Sequence, residues 1–139
     1  MKLPYNWLQE YCITNKAIEE IGDLLTSIGH MQDGPVERIG NQDVLDLEVR
    51  QNRPDCLSII GLSRELSAVT QSKLTLPQSV DLPEAGSDDS KIKIENNTLC
   101  YRFNTLEVEV DINTDTPDFI KNNLESFGIE AKDIVVDIT

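Results

Sequence analysis

Few residues in this chain combine a chemistry-bearing type with a telling spacing. Cys12, Cys56, Cys100 and His30 are its only soft metal ligands, and no two of them have the two-residue spacing of a zinc knuckle. They therefore read as packing or surface residues, and no metal site is expected. Three cysteines, odd in number and far apart, also argue against a disulfide framework and fit a reducing compartment. His30 falls at the end of an amphipathic stretch and reads as a surface cap residue, so no nucleophile for acyl transfer can be named. The seven glycines are isolated, which excludes a glycine-rich phosphate loop. Asp88-Asp89 sits among small polar residues and reads as solvated charge. No catalytic residue emerges.

One cluster mixes chemistries: Asn52-Arg53-Pro54-Asp55. Opposite charges beside a helix start often bind ligands. The same residues also suit a structural corner, and that is the reading adopted. Pro54 has a fixed φ and no amide hydrogen, so it fits a first helical turn, while Asn52 or Asp55 can accept from the amides that the helix leaves free. Arg53 can pair with a nearby carboxylate or carbonyl.

The elements on either side place this corner. Leu45, Leu47 and Val49 alternate with Asp46, Glu48 and Arg50, the period of a half-buried strand. After the corner, Ile59, Leu62, Leu66 and Val69 share one helical face, and Gly61 within that helix implies the close approach of another backbone. Upstream, Trp7, Leu8 and Tyr11 mark a short helix that Asn6 can cap. Ile18, Ile21, Leu24, Leu25 and Ile28 mark a second, capped by Thr14 or Asn15 and closed by Gly29. Residues 31 to 39 read as a short ribbon that pairs with the strand through a turn at Gly40-Asn41.

Residues 71–90 carry Pro77, Pro83, Gly86 and small polar residues without periodicity, which reads as a linker between residues 1–70 and 91–139. In the last segment, alternation at 91 to 95 and 106 to 112 predicts two strands. Thr116-Pro117 opens a helix with Phe119, Ile120, Leu124 and Phe127 on its buried face and Gly128 at its end, and Ile134 to Ile138 read as a buried strand. A piece of this size cannot cover its own sheet, so a truncated second domain is expected. The fold class is thus α+β: a small helical domain with a β ribbon, a linker, and the first strands and helix of a second α/β domain.

Net charge is −13, divided into −4 over residues 1–80 and −9 over residues 81–139. Nucleic-acid binding needs a local basic surface, and no Lys/Arg cluster with interleaved aromatics exists. No apolar run approaches the ~20 residues of a membrane span, and no signal-peptide pattern opens the chain, so a cytoplasmic protein is expected.

The run from Val44 to Val49 followed by Asn52-Arg53-Pro54-Asp55-Cys56-Leu57-Ser58-Ile59-Ile60-Gly61-Leu62-Ser63-Arg64-Glu65-Leu66 resembles the β subunit of bacterial-type phenylalanyl-tRNA synthetase. The likeness extends to Asn6-Trp7-Leu8-Gln9-Glu10-Tyr11, to Leu24-Leu25-Thr26-Ser27-Ile28-Gly29, and to Pro117, Leu124, Gly128-Ile129 and Val135-Val136-Asp137-Ile138-Thr139. The last of these resembles the start of that subunit's editing module. Two departures stand out. The family usually inserts an oligonucleotide-binding barrel after the ribbon, whereas here Ile39-Gly40-Asn41-Gln42-Asp43 runs straight on to the strand. Glu130-Ala131-Lys132-Asp133-Ile134 also stands where the family usually has an Arg-Pro pair and two asparagines. The resemblance implies an N-terminal scaffold without catalytic residues. The parent enzyme it implies ligates phenylalanine to tRNA with ATP and magnesium, as an αβ heterotetramer with the α subunit as partner and tRNA bound through other parts. A free-standing acidic protein-interaction module is the alternative.

Overall fold

A computed structural model describes residues 1–81, 92–105, 107–111 and 113–139. Contacts divide the chain into two units, Met1–Pro77 together with Ile112–Thr139, and Gln78–Asp111. The first unit is α+β and holds all the regular elements found among the described residues.

Its frame is the strand that the alternation of Leu45, Leu47 and Val49 predicts. In chain order, β1 (Lys2–Pro4), β2 (Met31–Gln32) and β3 (Glu37–Ile39) all pair antiparallel with β4 (Gln42–Glu48). Pro4 and Glu37 both oppose Val44, so β1 and β3 occupy opposite edges of β4. Further along, Met31 opposes Glu48. Gly40, at φ +56°, makes the β3–β4 turn, where a side chain would be strained. Leu45 and Leu47 are fully buried on one face, as their alternation requires.

That face receives α1 (Tyr5–Tyr11) and α2 (Ile18–Ser27), and α3 (Ile59–Thr70) packs against both helices. Leu3, Leu8, Ile21, Leu25, Leu62 and Leu66 are at most 1% exposed and form the core with the two leucines of β4. Three of its features depart from expectation. Residues 2–4 form a strand that no periodicity announces, because three residues carry none. The N-cap of α1 is Pro4, not Asn6, and the N-cap of α2 is Ala17, not Thr14 or Asn15. Thr14 is instead held by Gln9, which donates to its carbonyl and accepts from its amide. The Glu20 carboxylate accepts from the Ala17 amide at 3.0 Å and so serves the helix start from within.

The other face of β4 is also covered where it begins. Gln42 and Val44 are buried, and the Gln42 amide donates to the Asn122 carbonyl and Asn123 Oδ1 of α4 (Asp118–Ser126). Pro117 is the N-cap of α4, where Thr116 was expected to cap. The Thr116 hydroxyl donates to Asp137 instead. Of the expected buried face, Ile120, Leu124 and Phe127 are half-buried and Phe119 is exposed. Gly128 follows at φ +77°.

The expected strand at Ile134 to Ile138 is a one-turn helix, α5 (Ile134–Ile138). Asp133 caps it by accepting from the Val135 and Val136 amides, both at 3.1 Å. β-Branched residues favour a strand only when a neighbour accepts its amides, and no strand among the described residues lies beside them. The same reason applies in the second unit, where residues 92–95 and 107–111 carry no strand although they alternate. Lys91, Leu106 and Ile112, which belong to the same expectation, lie outside the described residues, as does 82–90 of the expected linker. In the second unit the Asn96 side chain accepts from the Thr98 and Leu99 amides and folds 96–100 into a turn.

Candidate functional site

The corner between β4 and α3 is built from the backbone outward. The amide of Arg53 donates to the Arg50 carbonyl, and Pro54–Cys56 then form a single 3-10 turn in which Cys56 donates back to Arg53 at 3.0 Å. Only after Ser58 does α3 begin. Ser58 is its N-cap, with extended backbone and a hydroxyl that accepts from the Gly61 amide at 3.0 Å. This corrects the expectation that Asn52 or Asp55 would cap the helix, since Pro54 opens a 3-10 turn rather than α3 itself. Asn52 is exposed. Gly61 lies against that turn, and a Cβ there would overlap the Asp55 carbonyl oxygen.

Arg53 organises the side chains. Its guanidinium grips Asp55 through two parallel hydrogen bonds, Nε to Oδ1 at 3.1 Å and Nη2 to Oδ2 at 2.9 Å. The same Nη2 lies 2.8 Å from Glu65 Oε1 on α3, and donates to the Cys56 sulfur at 3.2 Å. The Cys56 thiol donates to Asp55 Oδ2 at 3.4 Å. The Arg53 fork holds the Asp55 carboxyl well below its ordinary range, at about 2. Burial, and then the Asp55 carboxylate that accepts its proton, push the Cys56 thiol up to about 11. Arg53 itself is held further into its charged state by Asp55 and Glu65.

Behind this network stands His30. It is 1% exposed, which overturns its reading as a surface cap. Gly29, at φ +102°, reverses the chain after α2, and the His30 amide donates to Leu25, which turns the imidazole inward. Neither ring nitrogen has a hydrogen-bond partner, and Nε2 lies 3.7 Å from Glu65 Oε2. The structure thus gathers His30, Cys56 and Glu65 around the Arg53-Pro54-Asp55 turn. Sequence reasoning placed none of the three there. The available signal was Glu65's position three residues after Leu62, on the flank of the buried face of α3.

A second feature is an open groove of about 500 Å³ within the first unit. Trp7 and Tyr11 of α1 line one side and Ile120, Leu124 and Phe127 the other. The Trp7 and Phe127 rings meet edge to face, with centroids 5.8 Å apart and planes at 82°. The charged residues of its lining, Glu10 and Asp137, are both acidic, so the groove does not suit a nucleoside triphosphate.

All of the chain aligns with part of known phenylalanine–tRNA ligase β subunits. That of Rhodopirellula baltica is 33% identical over 142 residues, covering the whole of this chain and 21% of that protein. The chloroplastic subunit of Porphyra purpurea is 34% identical over 146 residues, again covering the whole chain and 20% of that protein. The Thermotoga maritima subunit is 39% identical over 75% of the chain. The chain therefore spans about a fifth of the length of the first two of these relatives. Alignments of 142 and 146 residues against 139 leave no room for a barrel-sized insertion within the matched stretch of the first two. No family model and no solved structure matches the chain.

Proposed function

The chain belongs to the family of phenylalanine–tRNA ligase β subunits, and from that premise we propose that it is the N-terminal scaffold of such a subunit and performs no catalysis itself. The parent enzyme, on this reading, is a cytoplasmic αβ heterotetramer that attaches phenylalanine to its tRNA at the expense of ATP with magnesium. This segment positions domains for the α subunit and for the parts that bind tRNA.

The observation that carries the scaffold reading is the self-sufficiency of the corner. The Arg53 guanidinium is engaged by Asp55 and Glu65, Ser58 caps α3, and Gly61 lets the turn pack on the helix. These residues spend their polar groups on one another and hold β4 and α3 at a fixed angle, which is what a rigid spacer requires. The two acidic residues of the groove, Glu10 and Asp137, disfavour a polyanion such as ATP, and no step through ATP or magnesium is assigned to these residues.

The test is direct. The chain, incubated with mischarged tRNA, is expected to release amino acid no faster than buffer, and with phenylalanine, ATP, magnesium and tRNA it is expected to form no aminoacyl-tRNA. Deacylation or aminoacylation that depends on the chain would overturn the reading. A net charge of −13 also leads to tRNA binding no tighter than the ~10⁻⁴ to 10⁻⁶ M of non-specific contacts at physiological salt.

A further inference from the structure

We propose that the groove between α1 and α4 is a docking site for a basic amphipathic helix of a partner protein. Trp7 and Tyr11 recur at helical spacing on α1, and Ile120, Leu124 and Phe127 do so along α4, so each helix turns an apolar face to the groove. The faces meet through the Trp7 and Phe127 rings and leave about 500 Å³ open. Phe119, Ile129 and Ile138 line the same space, and each is more than half exposed. Large apolar side chains gathered in one open groove mark an interaction surface.

The walls select a helix. Both are α-helices, whose backbone amides and carbonyls are spent on each other, so neither offers the free edge that a docking strand pairs with. The furrow between two helices instead accepts the side-chain ridge of a third, with apolar anchors one turn apart.

Charge selects a basic one. The charged residues of the lining are Glu10, which is exposed, and Asp137. Hydrogen bonds from the Thr116 hydroxyl and then the Lys132 amide hold the Asp137 carboxyl below its ordinary range, so it is ionised at neutral pH. Lys121 acts on Asp137 from outside the lining. Residues 112–139 carry six acids and two bases. A second copy of a chain with net charge −13 would bring two acidic rims together, and an anionic membrane or a nucleic acid would be repelled. A protein helix with lysine or arginine beside its apolar stripe meets both the lining and the rim.

The probe is a peptide of about 14 residues, long enough to span α4, with leucine along one helical face and lysine along the other. Trp7, the only tryptophan, reports on the groove. Titrating the peptide into the chain is expected to shift Trp7 emission to the blue, saturably and at one peptide per chain, with an affinity that falls as salt is raised. A scrambled peptide of the same composition, and one with glutamate in place of lysine, are expected to bind at least about tenfold more weakly. Phe119→Ala, at an exposed position and so expected to fold, should weaken binding about tenfold or more. Glu10→Lys, also exposed, should weaken it a few-fold and flatten the salt dependence. Leu57→Ala removes an exposed leucine outside the groove and should change nothing. A shift that never saturates, equal binding of the scrambled or acidic peptide, or Phe119→Ala no weaker than Leu57→Ala would overturn the proposal. So would a Trp7 shift that grows with chain concentration alone, which makes a second copy the occupant, or a parent subunit that binds no peptide, which makes a later segment of the same subunit the occupant.

Discussion

The guanidinium of Arg53 lies 2.8 Å from the carboxylate of Glu65, twelve residues further along the chain and in the middle of α3. The same group grips Asp55 two residues on, so one side chain ties the 3-10 turn both to itself and to the helix. A planar fork is needed for this. Lysine offers a single point charge and cannot hold both carboxylates in parallel bonds. Arg53→Lys is expected to lower the thermal midpoint of the chain, and Arg53→Ala to lower it further, because Asp55 and Glu65 then face each other without a cation. Melting curves that coincide with wild type would show that the network contributes nothing to stability.

The acid limb of stability should carry the signature of Asp55. Its folded carboxyl titrates at about 2, below its ordinary value of 3.8. A group depressed in the folded state contributes stability that is fully present above its unfolded pKa and is lost as pH falls through the folded one. Wild type is therefore expected to lose this contribution between about pH 4 and pH 2, while Asp55→Asn is less stable at neutral pH and changes less across that window. The measurement is the denaturation midpoint at half-unit steps of pH. Parallel curves for the two proteins would refute the coupling.

The cap of α3 is Ser58, where sequence reasoning had offered Asn52 or Asp55. Ser58→Ala removes the hydroxyl that accepts from Gly61 and is expected to cost about 1 kcal/mol, within the usual range of ~0.5 to 2 for a lost cap. Asn52→Ala, at an exposed position, is expected to change stability by less than about 0.5 kcal/mol. Chemical denaturation of both variants checks the order, and a larger loss at Asn52 would reverse the assignment.

Gly61 tests how tightly the turn lies on the helix. In an exposed helix interior glycine to alanine is favourable by up to about 1 kcal/mol. At Gly61 the added methyl meets the Asp55 carbonyl, which is backbone and cannot rotate away. Gly61→Ala is expected to destabilise by about 1 to 3 kcal/mol, the usual range for overpacking. Stabilisation would mean that the turn moves freely.

Residue pattern reported the long elements and missed the short ones for one physical reason. Leu45 and Leu47 on β4, or Ile21 and Leu25 on α2, repeat often enough to reveal which face is buried. β1 has three residues, and its strand character comes from β4 beside it. Val135 and Val136 show the converse, since their strand preference is not expressed without a partner, and a local cap from Asp133 selects a helical turn. His30 was misplaced because the turn at Gly29 decides where its ring points, and ring direction leaves no trace in spacing. The corner was legible as a corner. Which group does what within it depended on a 3-10 turn that Pro54 permits and does not dictate.

The last prediction concerns the contact that joins α1 to α4. Trp7 is the only tryptophan, so its emission reports on this place alone. Phe127, the C-cap of α4, meets it edge to face at 5.8 Å and is half-buried, whereas Phe119, in the first turn of α4 and expected from its spacing to be buried as well, is 67% exposed. Removing Phe127 deletes an aromatic pair worth about 0.5 to 1.5 kcal/mol beyond its buried area and admits water to the indole face. Phe127→Ala is therefore expected to shift the emission to the red and lower stability by about 1 to 3 kcal/mol. Phe119→Ala removes surface that water already reaches, so its stability is expected to stay within about 0.5 kcal/mol of wild type with little change in emission. Both variants remove the same ring from the two ends of one element, Phe119 from the first turn of α4 and Phe127 from its C-cap. Equal shifts in emission from the two would mean that the buried face of α4 is the one its spacing suggests, with Phe119 turned toward Trp7.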